Sequence, residues 1–166
     1  MKRLYNTVTI IICLFLNTAC NDNYGIEQIV PQENHKVLSL KYSGVIEPDM
    51  NFAEYRFDIV ILKGGAIASL EANAVLRVFT ADELRQYNEE NDTDYKLVPK
   101  EYYSLPQTVF NFSSNDYSKI TRLRLNLVAL SYQMDLTEEQ FILPFKLTSE
   151  KDPVLDSKEN IMFLFR

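Results

Sequence analysis

Lys119–Leu130 (KITRLRLNLVAL) constrains the fold more than any other stretch. Leu123, Leu125, Leu127 and Ala129 alternate with Arg122, Arg124 and Asn126. Residues two apart share one face of a strand but scatter around a helix, so this run predicts a half-buried β-strand. The same period recurs on both sides of it. In Lys36–Ser43 (KVLSLKYS) it turns Leu38, Leu40 and Tyr42 inward, and in Glu54–Lys63 (EYRFDIVILK) it turns Tyr55, Phe57, Ile59 and Ile61 inward. Ala72–Phe79 places Ala74, Leu76 and Val78 inward, and Gln140–Ser149 (QFILPFKLTS) does so with Phe141, Leu143, Phe145 and Leu147. Thr108–Phe112 and Asn160–Arg166 complete the set. Gly64-Gly65 and Ser113–Asp116 read as strand ends. Pro144 falls on the outward face and has no N–H, which predicts an edge position or a local break. About seven strands at such short separations exclude a parallel α/β sheet and predict an all-β, two-layer antiparallel sandwich.

Thr80–Leu105 (TADELRQYNEENDTDYKLVPKEYYSL) is the one long segment outside this pattern. Thr80 with Glu83 three residues later is a capping-box pattern. Asp82 and Glu83 suit the positive end of a helix, and Leu84 with Tyr87 gives it a narrow apolar stripe. The spacing predicts one short helix, Ala81–Glu90, between two strands. Asn91–Asp94 ends it, because these side chains compete for backbone hydrogen bonds.

Met1–Ala19 reads as a signal peptide, with basic Lys2 and Arg3 before the apolar run Val8–Leu16. That run is short of the roughly 20 residues that span a bilayer. It ends in Leu16-Asn17-Thr18-Ala19-Cys20, which resembles a bacterial lipobox with Cys20 as the lipidation site. Residues 20–35 are expected to form a polar tether and residues 36–166 the sandwich. Cleavage would remove Lys2 and Arg3 and no acid, taking the formal charge from −6 to −8. An acidic domain repels nucleic-acid phosphate, so no nucleic-acid partner is expected. The N-terminal lipid would instead hold the domain on the membrane.

Further residues carry a family resemblance. Leu84-x-x-Tyr87-Asn88, Tyr95-x-Leu97-Val98-Pro99 and Tyr102-Tyr103-Ser104-Leu105-Pro106 form one signature, and Phe141–Ser149 forms a second. Together they resemble a domain of unknown function found in Bacteroidetes surface lipoproteins. Members are often encoded beside outer-membrane glycan-utilisation systems, and the domain also precedes chitinase-like endo-β-N-acetylglucosaminidases and lectin-like domains. The resemblance spans roughly Leu38–Phe165 and implies an immunoglobulin-like β-sandwich. The family's Ile-x-x-Gly turn is replaced here by Phe112-Ser113-Ser114-Asn115. No second domain is expected after Arg166, and catalytic or lectin activity is accordingly not expected to carry over.

No catalytic residue is assigned from the sequence. His35 is the sole histidine, and Cys20 is the sole cysteine beyond the leader, so metal sites needing more than one histidine and thiol catalysis are not expected. Glu90, Asp92 and Asp94 have partial Ca²⁺-ligand spacing, but no Gly or distant Glu completes the loop. No cofactor or metal is expected. Tyrosine rings can receive the apolar faces of sugars, and Asn and Asp can accept hydroxyl hydrogen bonds. Asn91, Asp92, Asp94, Tyr102 and Tyr103 are therefore the candidate ligand-binding residues. The competing account is that Tyr87, Tyr95 and one of Tyr102 and Tyr103 are packing residues. The expectation is a non-catalytic outer-membrane lipoprotein, periplasmic or surface-exposed, serving as an accessory or glycan-binding module. The alternative is a structural or protein-interaction subunit of an envelope complex, suggested by apolar Val60, Leu62, Met162 and Leu164 on nominally outward faces.

Overall fold

The computed structural model describes residues 29–134, 136 and 138–166. The expected signal peptide and the lipidation site Cys20 lie outside the described residues. Among the described residues, ten strands form two sheets: β1 (Val37–Leu40), β2 (Gly44–Ile46), β3 (Glu54–Gly64), β4 (Ala72–Val78), β5 (Lys96–Leu97), β6 (Tyr103–Ser104), β7 (Val109–Phe112), β8 (Ser118–Asn126), β9 (Phe141–Thr148) and β10 (Asn160–Phe165). Helix α1 (Ala81–Asn91) follows β4, and helix α2 (Leu127–Gln133) follows β8. One sheet runs β1-β3-β8-β6, and the other runs β2-β10-β9-β4-β7 with β5 added beside β9. Pairing is antiparallel except for β2 with β10 and β5 with β9, which are parallel. The result is an immunoglobulin-like sandwich with more strands than the periodicity predicts, because the short additions β2, β5 and β6 carry too few residues to show a period.

The inward faces meet as one core. Leu40, Ile61, Leu76, Phe110, Leu123, Leu125, Phe145, Phe163 and Phe165 are fully buried. Phe57, Phe163 and Phe145 form an edge-to-face series with centroids 5.3 and 6.3 Å apart, and Tyr103 continues it at 6.1 Å from Phe145. Tyr42 is a correction: β1 ends at Leu40, and Tyr42 lies in the bend beyond it, half exposed against Phe57.

The run Lys119–Leu130 is not a single strand. β3 pairs β8 only as far as Glu54 opposite Asn126. Past that point Leu127 N–H still donates to Ala53 O at 3.1 Å, and there the chain turns into a helix. The Asn126 side chain accepts the Ala129 N–H at 3.0 Å and caps α2. Leu127 and Leu130 still turn inward, now one helical turn apart.

The six-stranded sheet has a second buried face. Leu84 of α1, with Tyr87, Tyr95 and Leu97 beside it, packs on Ile142 and Met162. Met162, on the outward face as expected, is buried by this cluster, and Leu164 is buried as well. Pro144 is likewise buried and lies in a central strand rather than at an edge. β4 covers β9 from Thr148 to Phe145, and β5 covers it at Phe141 and Ile142. Pro144 sits at the gap between them, where the chain leaves β4 and Phe79 N–H donates to Pro144 O at 3.1 Å. The missing proline donor faces that side, where the β4 ladder ends on the single Phe79–Pro144 bond.

The turn from β4 into α1 is held by charge. Arg77 donates to both Glu83 oxygens at 2.6 and 2.7 Å, and the capping box between Thr80 and Glu83 is complete. At the other end of the sheet, Asp152 accepts the Asn73 N–H at 2.8 Å and pairs with Lys36 at 2.6 Å. The chain entry is docked as well: Ala66 and Ile67 N–H groups donate to Asn34 and His35 carbonyls. Gly65 permits this, with φ of 107° and His35 O only 2.7 Å from where a Cβ would stand.

The Arg77 guanidinium holds the Glu83 carboxyl well below its usual range, at about 2. A depressed folded pKa stabilises above the unfolded value near 4.5 and is lost as pH falls towards 2. Glu83→Gln is expected to lose about 1 kcal/mol at pH 7, allowing for partial exposure, and much less at pH 2. Urea unfolding at both pH values checks this. Thr121 Oγ1 is buried without a hydrogen-bond partner among the described residues. Thr121→Val is accordingly expected to raise stability by about 1 kcal/mol in the same assay.

Candidate functional site

The candidate site begins with where β8 ends. β6 adds two residues to the β8 edge, with Tyr103 opposite Leu125 and Ser104 opposite Arg124. Alternation turns Tyr103 into the sandwich and Ser104 outward beside Arg124. A cleft of about 410 Å³ opens here, lined by Ala53, Glu54, Glu101, Tyr102, Tyr103, Ser104 and Arg124–Asn126. Its polar groups mix donors and acceptors. Arg56 binds Glu54 through Nε and Nη2 at 3.0 and 2.8 Å. That bond keeps the Glu54 carboxyl below its usual range. Glu54 is thus held ionised, the opposite of what a glycosidase general acid requires. Arg124 lies directly opposite Arg56 across the ladder, and among the described residues it forms no ion pair. Like charges facing across a sheet are unfavourable, and the Glu54 carboxylate, whose pKa Arg124 also lowers, offsets part of that repulsion.

The tyrosines at this cleft have definite work. Tyr102 is buried, and its hydroxyl donates to Gln133 Oε1 of α2 at 2.6 Å. Tyr103 carries the Lys100 ammonium over its ring at 4.0 Å and meets Phe145 edge-on. Burial pushes the Tyr103 phenol pKa up. With Lys100 over one face and the core beneath, the Tyr103 ring offers little area for stacking.

The other candidate residues lie elsewhere. Asn91 ends α1 and Asp92 and Asp94 follow it on the outer side of the six-stranded sheet, whereas Tyr103 belongs to the four-stranded sheet. The five candidates do not form one site. Asn91 Nδ2 donates to Tyr87 O at 2.8 Å. Asp92 is the left-handed C-cap of α1, with φ of 53°. Asp94 lines a shallow hollow with Lys96, Glu138, Glu139 and Gln140, and another with Asn88 and Glu89. Among the described residues, no three His, Cys, Asp or Glu side chains are placed to hold a metal.

Asn88 was not singled out as a functional residue, yet it organises this loop. Its Oδ1 accepts from Thr93 Oγ1 and Tyr95 N–H at 3.0 and 3.2 Å, while its Nδ2 donates to Tyr95 O at 3.0 Å. Tyr87 and Tyr95 stack at 6.3 Å over the sheet. The signature Leu84-x-x-Tyr87-Asn88 and Tyr95-x-Leu97 is therefore a packing and loop-closing device. The spacing of Asn88 from Thr93 and Tyr95 in that signature was the available signal. Glu101, Ser104 and Arg124 are the cleft residues that sequence reasoning passed over, because each looks like an ordinary exposed polar residue until β6 joins β8.

Comparison with known proteins follows this architecture. The family model “-like, N-terminal domain” matches residues 26–154. No curated protein matches the chain. Among solved structures, a Bacteroides ovatus protein named provisionally for carbohydrate binding aligns with a TM-score of 0.55 and 17% identity, covering 77% of this chain and 36% of its own. A protein of unknown function from Bacteroides ovatus aligns at 0.56 and 14%, covering 81% and 46%. A multidomain protein from the same organism aligns at 0.52 and 15%, covering 77% and 43%. At these identities the likeness is one of fold, and this chain spans less than half the length of each.

Asp92 supplies the test of the α1 loop. A left-handed backbone suits glycine, and an acid beside the negative end of a helix is unfavourable. Asp92→Gly is expected to raise stability by about 0.5–1 kcal/mol, whereas Asn88→Ala lowers it by about 1–3 kcal/mol through the polar groups it leaves unpaired. Thermal unfolding distinguishes the two.

Proposed function

The chain belongs to the family of N-terminal domains whose model matches residues 26–154, and on that premise we propose that it is a non-catalytic accessory module of a cell-envelope glycan-handling system. In this reading Cys20 carries the lipid that anchors the domain to the outer membrane. The observation that carries the proposal is the β6–β8 cleft. It sets the Arg124 guanidinium and Ser104 hydroxyl beside the Glu101 carboxylate on an exposed sheet rim. Sugar hydroxyls both donate and accept, and such a mixed lining meets both needs. The fold-level likeness to a protein named for carbohydrate binding is consistent with this choice.

The cleft is open and polar, and it lacks the fully apolar floor of a tight site. Affinity in the millimolar to high-micromolar range is expected, about −4 to −6 kcal/mol. Isothermal titration of the soluble domain against a panel of neutral and uronate-bearing oligosaccharides is the test. Binding to the wild type that weakens at least about tenfold in Arg124→Ala, a loss of about 1.4 kcal/mol, supports the reading. It should survive in Asp94→Ala. Absence of heat at millimolar ligand would overturn the glycan-binding role. Labelled palmitate entering the wild type but not Cys20→Ala tests the anchor separately.

A further inference from the structure

Four aromatic side chains stand substantially exposed among the described residues: Tyr42, Phe52, Tyr117 and Tyr132. Tyr42 leans edge-on against Phe57, with centroids 5.9 Å apart. Tyr117 stands at the chain-entry end of β3, where its carbonyl receives the Lys63 N–H. Phe52 and Tyr132 differ, because both flank the β6–β8 cleft. They are 61% and 85% exposed, and among the described residues neither belongs to a packed apolar cluster. A ring left in water forgoes the free energy of burying its apolar area. Single exposed rings are common on proteins, but rings grouped beside a polar cleft mark a binding surface.

Backbone bonds place Phe52. Ala53 O accepts Leu127 N–H at 3.1 Å and Val128 N–H at 3.4 Å, so Phe52 sits where α2 begins. Its loop is fixed by Asp49, whose carboxylate accepts the Asn51 N–H and Nδ2 at 3.0 and 2.7 Å. Leu127 and Leu130 turn inward, which puts Val128 and Tyr132, four residues apart, on the exposed side of α2. The far end of the helix is held as well, since Gln133 Oε1 receives the Tyr102 hydroxyl at 2.6 Å. Ala53, Asn126 and Tyr102 all line the cleft. Phe52, Val128 and Tyr132 therefore extend the polar cleft into an apolar rim along α2. At 1.5 Å per residue, Tyr132 lies about 9 Å along the helix from Asn126.

We propose that Phe52 and Tyr132 are the stacking residues of an extended saccharide site, whose ligand is a neutral oligosaccharide running from the cleft along α2. The inference rests on the glycan-binding reading of the cleft and adds to it the aromatic platform and the length and charge of the ligand. A sugar ring carries hydroxyls at its rim and apolar C–H groups on its faces, so it needs polar partners and open ring faces together. The cleft supplies the first and the α2 rim the second. A single sugar ring does not reach both, which selects an oligosaccharide. Glu54 and Glu101 flank Arg124 in the cleft, on a chain of formal charge −6, and this favours a neutral ligand over an anionic one. Two other occupants fit badly. At about 200 Å² per aromatic side chain, the rim exposes roughly 400 Å², half of what one partner buries in a standard protein interface. A membrane surface would meet the wrong end of the domain. The chain entry docks beside Gly65, at one end of the 11-residue β3, and Phe52 precedes the other end, roughly 33 Å away. An anchor at Cys20 therefore joins the domain at the end opposite this site.

The probes are cellopentaose, mannopentaose and galactopentaose, each beside its monosaccharide, with pentagalacturonate as the anionic control. They are titrated into the soluble domain by calorimetry and followed by NMR of the aromatic rings. The expected result is that at least one neutral pentasaccharide binds about tenfold or more tightly than its monosaccharide and shifts the Phe52 and Tyr132 ring signals. Tyr132→Ala and Phe52→Ala should each weaken that binding about tenfold, whereas Tyr132→Phe keeps the ring and should stay within about twofold of the wild type. Both side chains are exposed, so unchanged thermal unfolding is expected and shows that the variants are folded. Binding that both alanine variants retain, and that only Arg124→Ala weakens, overturns the platform and leaves the cleft reading standing. A monosaccharide that binds as well as its pentasaccharide, or tighter binding of pentagalacturonate, also overturns the proposal. Silence from all of these probes overturns it too, while the cleft reading falls only if the whole oligosaccharide panel is silent. A dimer in sedimentation, or pelleting with phosphatidylethanolamine vesicles, that Tyr132→Ala abolishes would assign the rim to a second copy or to lipid and overturns it as well.

Discussion

The two-sided burial of β9 is the constraint on which the rest of the structure depends. Phe141, Leu143, Phe145 and Leu147 fill the sandwich, while Ile142 and Pro144 are buried on the opposite face. A strand that is apolar on both sides needs a cover on both sides. One cover is the four-stranded sheet, and the other is α1 with β5. This explains why the chain leaves β4 at Val78, why the Arg77–Glu83 pair fixes the exit, and why Leu84 and Tyr87 land on Ile142 and Met162. Removing Phe145 or Phe163 to alanine would cost about 3–5 kcal/mol, a large part of the stability of a domain this size.

That arrangement separates structure from candidate function. The most distinctive residues of the sequence, the tyrosines and the Asn88 loop around α1, are spent on covering β9. The surfaces left free are on the other sheet. There the short β6 ends against Arg124 and leaves the cleft beside it. The cleft follows from one fact: β6 is only two residues long, so it caps part of β8 and no more.

Much of the fold was legible in the sequence, because burial imposes a period of two and the buried faces of β3, β8 and β9 follow it closely. The capping box at Thr80 was legible because it needs only residues three apart. Reading failed where the period persisted but the partner did not. Leu127 continues the alternation of β8, but beyond Glu54 only Ala53 O receives its N–H, and a local cap from Asn126 takes over. Tyr42 continues the alternation of β1 beyond the point where the strand ends. Pro144 pointed to an edge or a local break, and the structure shows the break: it lies at the gap between β4 and β5 in a central strand. The candidate ligand residues were grouped by closeness in sequence, and the crossing from β5 to β6 carries them to different sheets.

The sequence by itself determined the class of fold, the inward faces of the long strands and the start of α1. All of these depend on residues within a few positions of one another. Tertiary structure alone decided which outward apolar residues are covered and which tyrosines are packing residues. Those outcomes depend on partners far apart in the chain, such as Leu84 with Met162, Tyr102 with Gln133, and Ser104 with Arg124. No local pattern encodes which of several apolar or polar residues will meet across the sandwich.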